Sequence, residues 1–96
     1  MDTELSFNYS YNKQTIKNKN ICNLSVYSIY GYLFDIDIFR YDTVTKVKQK
    51  ISNMAKQVYD KDIDPTNLII IYDNKKLNHT NELNSRNNKI GVIVKD

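Results

Sequence analysis

Two side chains in this sequence have the chemistry of a nucleophile and its general base: the single cysteine, Cys22, and the single histidine, His79. A thiol becomes a strong nucleophile when a neighbouring imidazole removes its proton. Cys22, however, is predicted at an inward position at the start of a strand, where a free cysteine usually acts as a small hydrophobic residue. His79 lies in a polar stretch. Phosphate-binding glycine loops, metal-ligand spacings and nucleophile elbows are absent from the sequence. We therefore expect a protein that is not an enzyme and needs no cofactor.

Three carboxylates alternate at Asp60, Asp62 and Asp64, as the ligands of a calcium-binding loop do. An EF-hand loop would require glycine at the position of Pro65 and a bidentate glutamate at the position of Ile71. Both requirements fail. The sequence predicts a polar helix exit here and no metal site.

Lysines are frequent in the middle of the chain and could meet an acidic partner or nucleic acid: Lys46, Lys48, Lys50, Lys56 and Lys61. Surfaces that follow phosphates usually concentrate their charge, whereas the net charge here is only +3 and is spread along the chain. Proteins that bind single strands also supply aromatic side chains for stacking, and none is interleaved with these lysines. We favour a solvated helix face. A nucleic-acid accessory domain is the alternative, and it predicts binding that weakens steeply with salt.

The composition indicates one small folded domain preceded by an extension. The chain has 96 residues, and 41% of them are hydrophobic against 26% charged, which is typical of globular proteins and not of disordered ones. No apolar run approaches the roughly 18 residues of a membrane span, and the polar start does not resemble a signal peptide. We expect an intracellular protein, cytoplasmic or nuclear, that does not enter a membrane.

Residues 1 to 21 show no sustained periodicity, and we interpret them as a flexible N-terminal extension. The remaining residues, 22 to 96, are predicted to form the domain. Within the extension, a short alternating pattern could dock as a strand or bind a partner: Leu5, Phe7, Tyr9 and Tyr11.

The segment from Asp42 to Tyr59 is predicted to be an amphipathic helix of about four turns. Its apolar stripe recurs at steps of three and four: Val44, Val47, Ile51, Ala55 and Val58. Asp42 or Thr43 offers a side-chain oxygen to the first free amides of this helix. Around it, period-two alternation and β-branched runs predict strands at residues 22 to 26, 34 to 38, 68 to 72, 75 to 77 and 90 to 94. The order is β-β-α-β-β-β, an α+β arrangement in which the helix covers one face of the sheet.

This order, together with residues at fixed places, resembles ubiquitin and its β-grasp relatives. The residues that carry the resemblance are Gly31 in the first turn; Asp42, Thr43, Val44, Val47, Lys48, Lys50 and Ile51 in the helix; Ile63 and Pro65 after it; and Ile70, Ile71, Tyr72, Lys75, Leu77 and Leu83 beyond. The resemblance covers about residues 22 to 94. It implies a mixed sheet of about four to five strands packed on one helix.

The sequence departs from that family at its last residues, Val94-Lys95-Asp96, which carry no diglycine tail. Because conjugation in the family requires such a tail, the resemblance implies a binding domain and not a transferable modifier. We expect it to be part of a larger protein of the splicing, proteasome or ubiquitin-pathway type. A modifier precursor, with Gly-Gly beyond residue 96, is the alternative. The excess of Asn, Lys, Ile and Tyr is typical of an AT-rich genome.

In this family the usual contact surface is the sheet face opposite the helix. Carried over by position, the resemblance places a protein-binding patch at Ile29, Ile71 and Ile93, with Gly91 where ubiquitin has a histidine. The partner it implies is a protein, such as a receptor of ubiquitin-like folds, the proteasome or a subunit of a complex, and the domain itself is expected to be monomeric.

Period-two alternation supports this patch independently. The residues predicted to face the helix are Ile70, Tyr72, Val92 and Val94. If they do, Ile69, Ile71 and Ile93 must face away from it. Exposed patches of such residues are typical of interfaces. The alternative is that residues 1 to 21 fold across this face within the same molecule.

Overall fold

The computed structural model describes residues 21–95 as a five-stranded sheet with one long helix. The elements are β1 (Ile21–Ser28), β2 (Gly31–Phe39), α1 (Val44–Tyr59), β3 (Leu68–Tyr72), β4 (Lys75–Lys76) and β5 (Lys89–Val94), with short 3-10 helices at Pro65–Asn67 and Thr80–Glu82. The predicted α+β order β-β-α-β-β-β is confirmed. β1 begins at Ile21, one residue before the predicted start of the domain, and the rest of the predicted extension lies outside the described residues.

The strands lie in the order β2-β1-β5-β3-β4. The two central strands, β1 and β5, run parallel, and all other neighbours are antiparallel. The two parallel strands come from opposite ends of the described sequence, and α1 lies between them in the chain and covers the sheet. This is the mixed sheet of a β-grasp fold.

The first hairpin turns at Ile29 and Tyr30, between β1 and β2. Gly31 opens β2 with φ of 122°, a conformation that residues with a Cβ rarely adopt. The hydroxyl of Ser28 accepts a hydrogen bond of 3.0 Å from the backbone N–H of Tyr30. The structure therefore has Gly31 at the first turn, where the resemblance placed it.

Helix α1 begins after Thr43, whose hydroxyl accepts a hydrogen bond of 3.1 Å from the backbone N–H of Lys46. The helix ends at Asp60, which takes the left-handed conformation with φ of 56° that aspartate tolerates better than most residues. Thr43 is therefore the N-cap, and its neighbour Asp42 has a different task.

Asp42 connects the end of β2 to the helix. One oxygen of its buried carboxylate accepts hydrogen bonds of 2.8 Å from the Phe39 N–H and from Lys50 Nζ. Burial by itself would raise the pKa of Asp42, but these two hydrogen bonds and the charges of Lys50 and Lys46 lower it below its ordinary value. The hydroxyl of Thr80 donates to the Asp42 carbonyl oxygen at 2.6 Å. Three segments of the chain are thus joined at one residue.

The core lies between α1 and the inner face of the sheet. Its most completely buried side chains are Ile38, Ile51, Leu68, Ile70, Ile90, Val26 and Val47. Two predicted members are wrong: Val58 and Val94 are 51% and 49% exposed. In the last helical turn Tyr59, and not Val58, turns toward β2, where its hydroxyl donates to the Leu33 carbonyl oxygen at 2.8 Å. Val94 lines the open groove at this end of the molecule instead of packing under the helix.

Candidate functional site

Four of the five predicted binding residues lie together on β3 and β5. Ile69 pairs with Ile93, and Ile71 pairs with Gly91, across these two antiparallel strands. Tyr27 of β1 pairs with Gly91 from the other side. Because residues two apart share a face of a strand, these five side-chain positions form one surface on the face opposite α1. We call it the sheet-face patch: Tyr27, Ile69, Ile71, Gly91 and Ile93.

The sheet-face patch is partly exposed throughout. Ile93 is 46% exposed, and the other four residues are half-buried by one another and by neighbouring strands. Their alternating neighbours on the same strands, such as Ile70 and Ile90, are 1% exposed. Among residues 21–95 no helix covers this face, so the sheet-face patch presents apolar surface to solvent.

Gly91 makes a shallow depression in the middle of the sheet-face patch. A Cβ added there would lie 3.8 Å from the Ile71 Cβ and 4.0 Å from the Tyr27 carbonyl oxygen, which is ordinary van der Waals contact. Packing therefore does not require glycine at this position. A depression of about 380 Å³ opens beside it, bordered also by Asp73 and Lys89. A small apolar group of a partner has room to contact the backbone here.

Aromatic and charged groups border the sheet-face patch. The rings of Tyr27 and Tyr32 meet edge to face at 5.7 Å, and Lys89 Nζ lies 5.8 Å from the centre of the Tyr27 ring. The Tyr32 hydroxyl donates to an Asp35 carboxylate oxygen at 3.0 Å, and this hydrogen bond is the main reason why the pKa of Tyr32 is raised. On the opposite side Lys76 pairs with Ile71. The border is thus cationic at Lys76 and Lys89 and anionic at Asp35 of β2 and at Asp73 beside the depression.

Tyr27 and Tyr32 were not predicted as site residues. The alternation that placed Val26 inward also implies that Tyr27 points outward, so this signal was present in the sequence. Tyr32 was less accessible to prediction because the register between β1 and β2 shifts after Val26, which brings Tyr27 opposite Tyr32. A bulge of this kind changes which residues share a face.

Ile29, the fifth predicted residue, lies in the hairpin turn and is 82% exposed, beside Tyr30 at 93%. Both line a groove of about 580 Å³ at the end of the molecule where α1 ends. Its floor includes the buried side chains of Ile51, Ala55 and Leu68. We call this the end groove, and its rim is formed by Ile29, Tyr30, Leu33, Tyr59, Ile63, Ile93 and Val94, with Lys61 as its charged residue.

The end groove was not predicted from the sequence. Ile93 belongs to its lining and also to the sheet-face patch, so the two apolar surfaces are continuous. Ile29 therefore lies with the end groove, while Ile69, Ile71 and Gly91 do not line it.

The candidates for other chemistry lie as follows. Cys22 is half-buried and packs against the core, and His79 is exposed just before a 3-10 helix. Asp60 and Asp62 both accept from Lys56 Nζ, at 3.0 and 3.3 Å. Within residues 21–95, no three histidine, cysteine or acidic side chains are grouped closely enough to hold a metal ion. In the same part of the chain, α1 is too short and too polar to span a membrane.

An aromatic stack lies near the helical lysines, just before the helix. The rings of Phe39 and Tyr41 are parallel within 5° at 5.2 Å, and Lys50 Nζ lies 4.9 Å from the Phe39 ring centre. Lys50 also pairs with Asp42 at 2.8 Å, so its charge is balanced locally. This stack stabilises the β2–α1 junction.

Comparison with known proteins identifies the fold. No protein-family model matches the sequence, and no curated protein matches it. Solved structures do match. One is a structure of an Arabidopsis thaliana protein, determined from evolutionary couplings and sparse NMR data, with a TM-score of 0.61, 18% identity and coverage of 80% of this chain and 89% of that one. Another is the N-terminal ubiquitin-like domain in the 4931431F19Rik protein, with a TM-score of 0.59, 16% identity and coverage of 80% and 77%.

This chain has the ubiquitin-like fold. At identities this low the similarity establishes the β-grasp architecture only, and the resemblance drawn from the sequence is confirmed at that level.

Proposed function

We propose that this ubiquitin-like domain is a non-catalytic module that binds another protein through the sheet-face patch. The observation that carries the proposal is the pairing of Ile69 with Ile93 and of Ile71 with Gly91, on a face that no helix of residues 21–95 covers. Apolar β-branched side chains side by side on a surface are typical of interaction sites. The flanking Tyr27 and Tyr32 strengthen the proposal, since aromatic residues are enriched at the cores of interfaces.

The kind of partner follows from the shape and border of the sheet-face patch. Its surface is nearly flat apart from the depression at Gly91, so it suits a protein surface with a small apolar anchor better than an enclosed small molecule. Lys89 beside Tyr27 and Lys76 on the opposite side favour acidic groups next to that anchor. We place the domain inside the cell, in the cytoplasm or nucleus, within a larger protein of the ubiquitin, proteasome or splicing systems. One solved domain with this fold is an N-terminal part of a longer protein.

The proposal is tested by affinity capture from an extract of the source cells with three forms of the protein: wild type, Ile71→Ser and Val58→Ser. Val58 is the matched control because it is also an exposed apolar side chain, but it lies on α1 outside the sheet-face patch. We expect proteins captured by the wild type to be retained by Val58→Ser and lost with Ile71→Ser, measured by quantitative mass spectrometry.

Equal capture by all three forms would contradict the proposal. A ladder of covalent conjugates in the source cells would instead support the modifier alternative. Capture of nucleic acid that disappears as salt is raised would support the accessory-domain alternative.

A further inference from the structure

We propose that the end groove binds the N-terminal segment of the same chain, with Leu5 and Phe7 as its apolar anchors. This inference goes beyond the proposed function, which uses the sheet-face patch. It assigns a partner to the second apolar surface of the molecule.

The lining and volume of the end groove suit an apolar segment. Its floor reaches core side chains, and Ile51 and Leu68 are each only 1% exposed although they line it. The volume of about 580 Å³ lies in the range of sites that enclose a ligand group. The rim residues Ile29 and Tyr30 are nearly fully exposed. Binding of an apolar segment in a groove with this lining is favourable, because it removes apolar surface of both from water.

The sequence of the N-terminal segment matches the end groove in pattern. Leu5 and Phe7 are two residues apart, so in an extended chain they point to the same side about 6.7 Å from each other. Both side chains can then enter the groove while Ser6 points away. Asp2 and Glu4 come directly before these anchors.

The end groove offers one cation to these two acidic residues. Lys61 is the charged residue of its lining. The neighbouring carboxylates of Asp60 and Asp62 both accept from Lys56, and Lys61 has no ion pair within residues 21–95. Lys61 is therefore available to Asp2 or Glu4.

The connecting chain is long enough. β1 spans about 23 Å between Ile21 and Ser28, which lies at the end groove. The chain from Phe7 to Ile21 can extend up to about 46 Å. On its way it can pass Asp35 and Asp37, two exposed carboxylates of β2 that have no cation partner among the described residues. The connecting segment carries the complementary charges at Lys13, Lys17 and Lys19.

Attachment to the same chain favours this segment over a second copy of the protein. Attachment through a short connection gives an effective concentration on the order of mM, so even weak binding fills the groove. In a symmetric pair of molecules the same patch meets itself, which would bring Lys61 toward its equivalent in the partner copy. The N-terminal segment offers carboxylates there instead.

The test uses the full chain with a nitroxide spin label at Thr3→Cys in a Cys22→Ala background. Paramagnetic broadening of methyl signals is compared between Leu33 and Ile63 of the end groove and Ile71 of the sheet-face patch. We expect strong broadening at the two groove residues and little at Ile71, unchanged on dilution. Leu5→Ser together with Phe7→Ser should remove most of it, whereas Ile16→Ser, the matched control in the same segment, should not.

A charge exchange sharpens this test. Lys61→Glu should weaken the broadening at the end groove, and adding Asp2→Lys with Glu4→Lys should restore it. If Cys22→Ala does not fold, the methyl shifts of unlabelled wild type and of the Leu5→Ser, Phe7→Ser double variant are compared. Shifts confined to the groove residues support the proposal.

Three results would overturn the proposal. Broadening concentrated at Ile71 would mean that the segment covers the sheet-face patch. Broadening that fades on dilution would assign the groove to a second copy. Equal, weak broadening at all positions would mean that the segment does not bind.

Discussion

The two faces of the sheet use the same kinds of residues for different purposes. On β3, Leu68 and Ile70 point inward and are each 1% exposed, while Ile69 and Ile71, one position along the chain, point outward and are half-buried. Both sets are aliphatic and most are β-branched. The difference in exposure depends on whether a residue's position along the strand directs it toward α1 or away from it, and not on the residue type. An isoleucine of this sheet is thus part of the core or part of the surface that we propose for binding, according to which side of the strand it occupies.

The largest expected contrast between the faces is in stability. Ile51→Ala removes a fully buried side chain from the helix-covered side and should lower the free energy of unfolding by about 2–5 kcal/mol. Chemical denaturation measures this value. The matched change Ile71→Ala on the open face should cost less, about 1–2 kcal/mol, because that side chain is only partly buried. Equal losses would show that the outer face is also part of the core.

The second prediction concerns Asp42, whose carboxylate connects the end of β2 to α1 through Phe39 and Lys50. Asp42→Asn weakens the charged hydrogen bond to Lys50 and should cost roughly 1–3 kcal/mol. The pKa of Asp42 is lowered in the folded state, so its stabilising contribution is complete above the unfolded pKa of about 3.9. It is lost as the pH falls through the lower, folded pKa.

Denaturation measured from neutral to acidic pH checks this dependence. Asp42→Asn should flatten the acid side of the stability curve. Asp64 provides the control, because hydrogen bonds from the Thr66 hydroxyl and N–H also lower its pKa but its side chain is exposed. Asp64→Asn should change the curve less. An unaltered curve in Asp42→Asn would contradict the role assigned to the carboxylate.

The smallest stability effect is expected at Gly91. Gly91→Ala fits without a clash and should change the free energy of unfolding by no more than about 0.5 kcal/mol. It fills the depression between Tyr27 and Ile71, so binding of the partner should weaken. Parallel measurements of thermal unfolding and of partner capture separate the two effects. A large loss of stability would contradict the view that this glycine serves binding.

Local patterns in the sequence predicted most of this fold. The stripe at Val47, Ile51 and Ala55 and the alternation in β2 and β3 depend only on spacing along the chain, and the structure buries them as predicted. Val58 and Val94 continue the same patterns but are exposed, because the packing between helix and sheet ends before these last residues of α1 and β5. Periodicity describes the neighbours within one element and cannot show where a covering element stops.

The candidate site was predictable only in the part that depends on alternation within single strands. Alternation placed Ile69, Ile71 and Ile93 on one face. The end groove forms where the hairpin turn, the end of α1 and the end of β5 diverge, and no single segment encodes that gap. The position of Ile29 at its rim depends on all three elements together.

The central claim, that the sheet-face patch binds a protein, is tested most directly by site-specific photo-crosslinking. A photoreactive residue replaces Ile71 in one form and Val58 in the other, and both are exposed to an extract of the source cells. We predict discrete protein adducts from position 71 that unlabelled wild type competes away and Ile93→Ser does not, with none from position 58. Adducts of the same kind and amount from both positions, or from neither, would contradict the account.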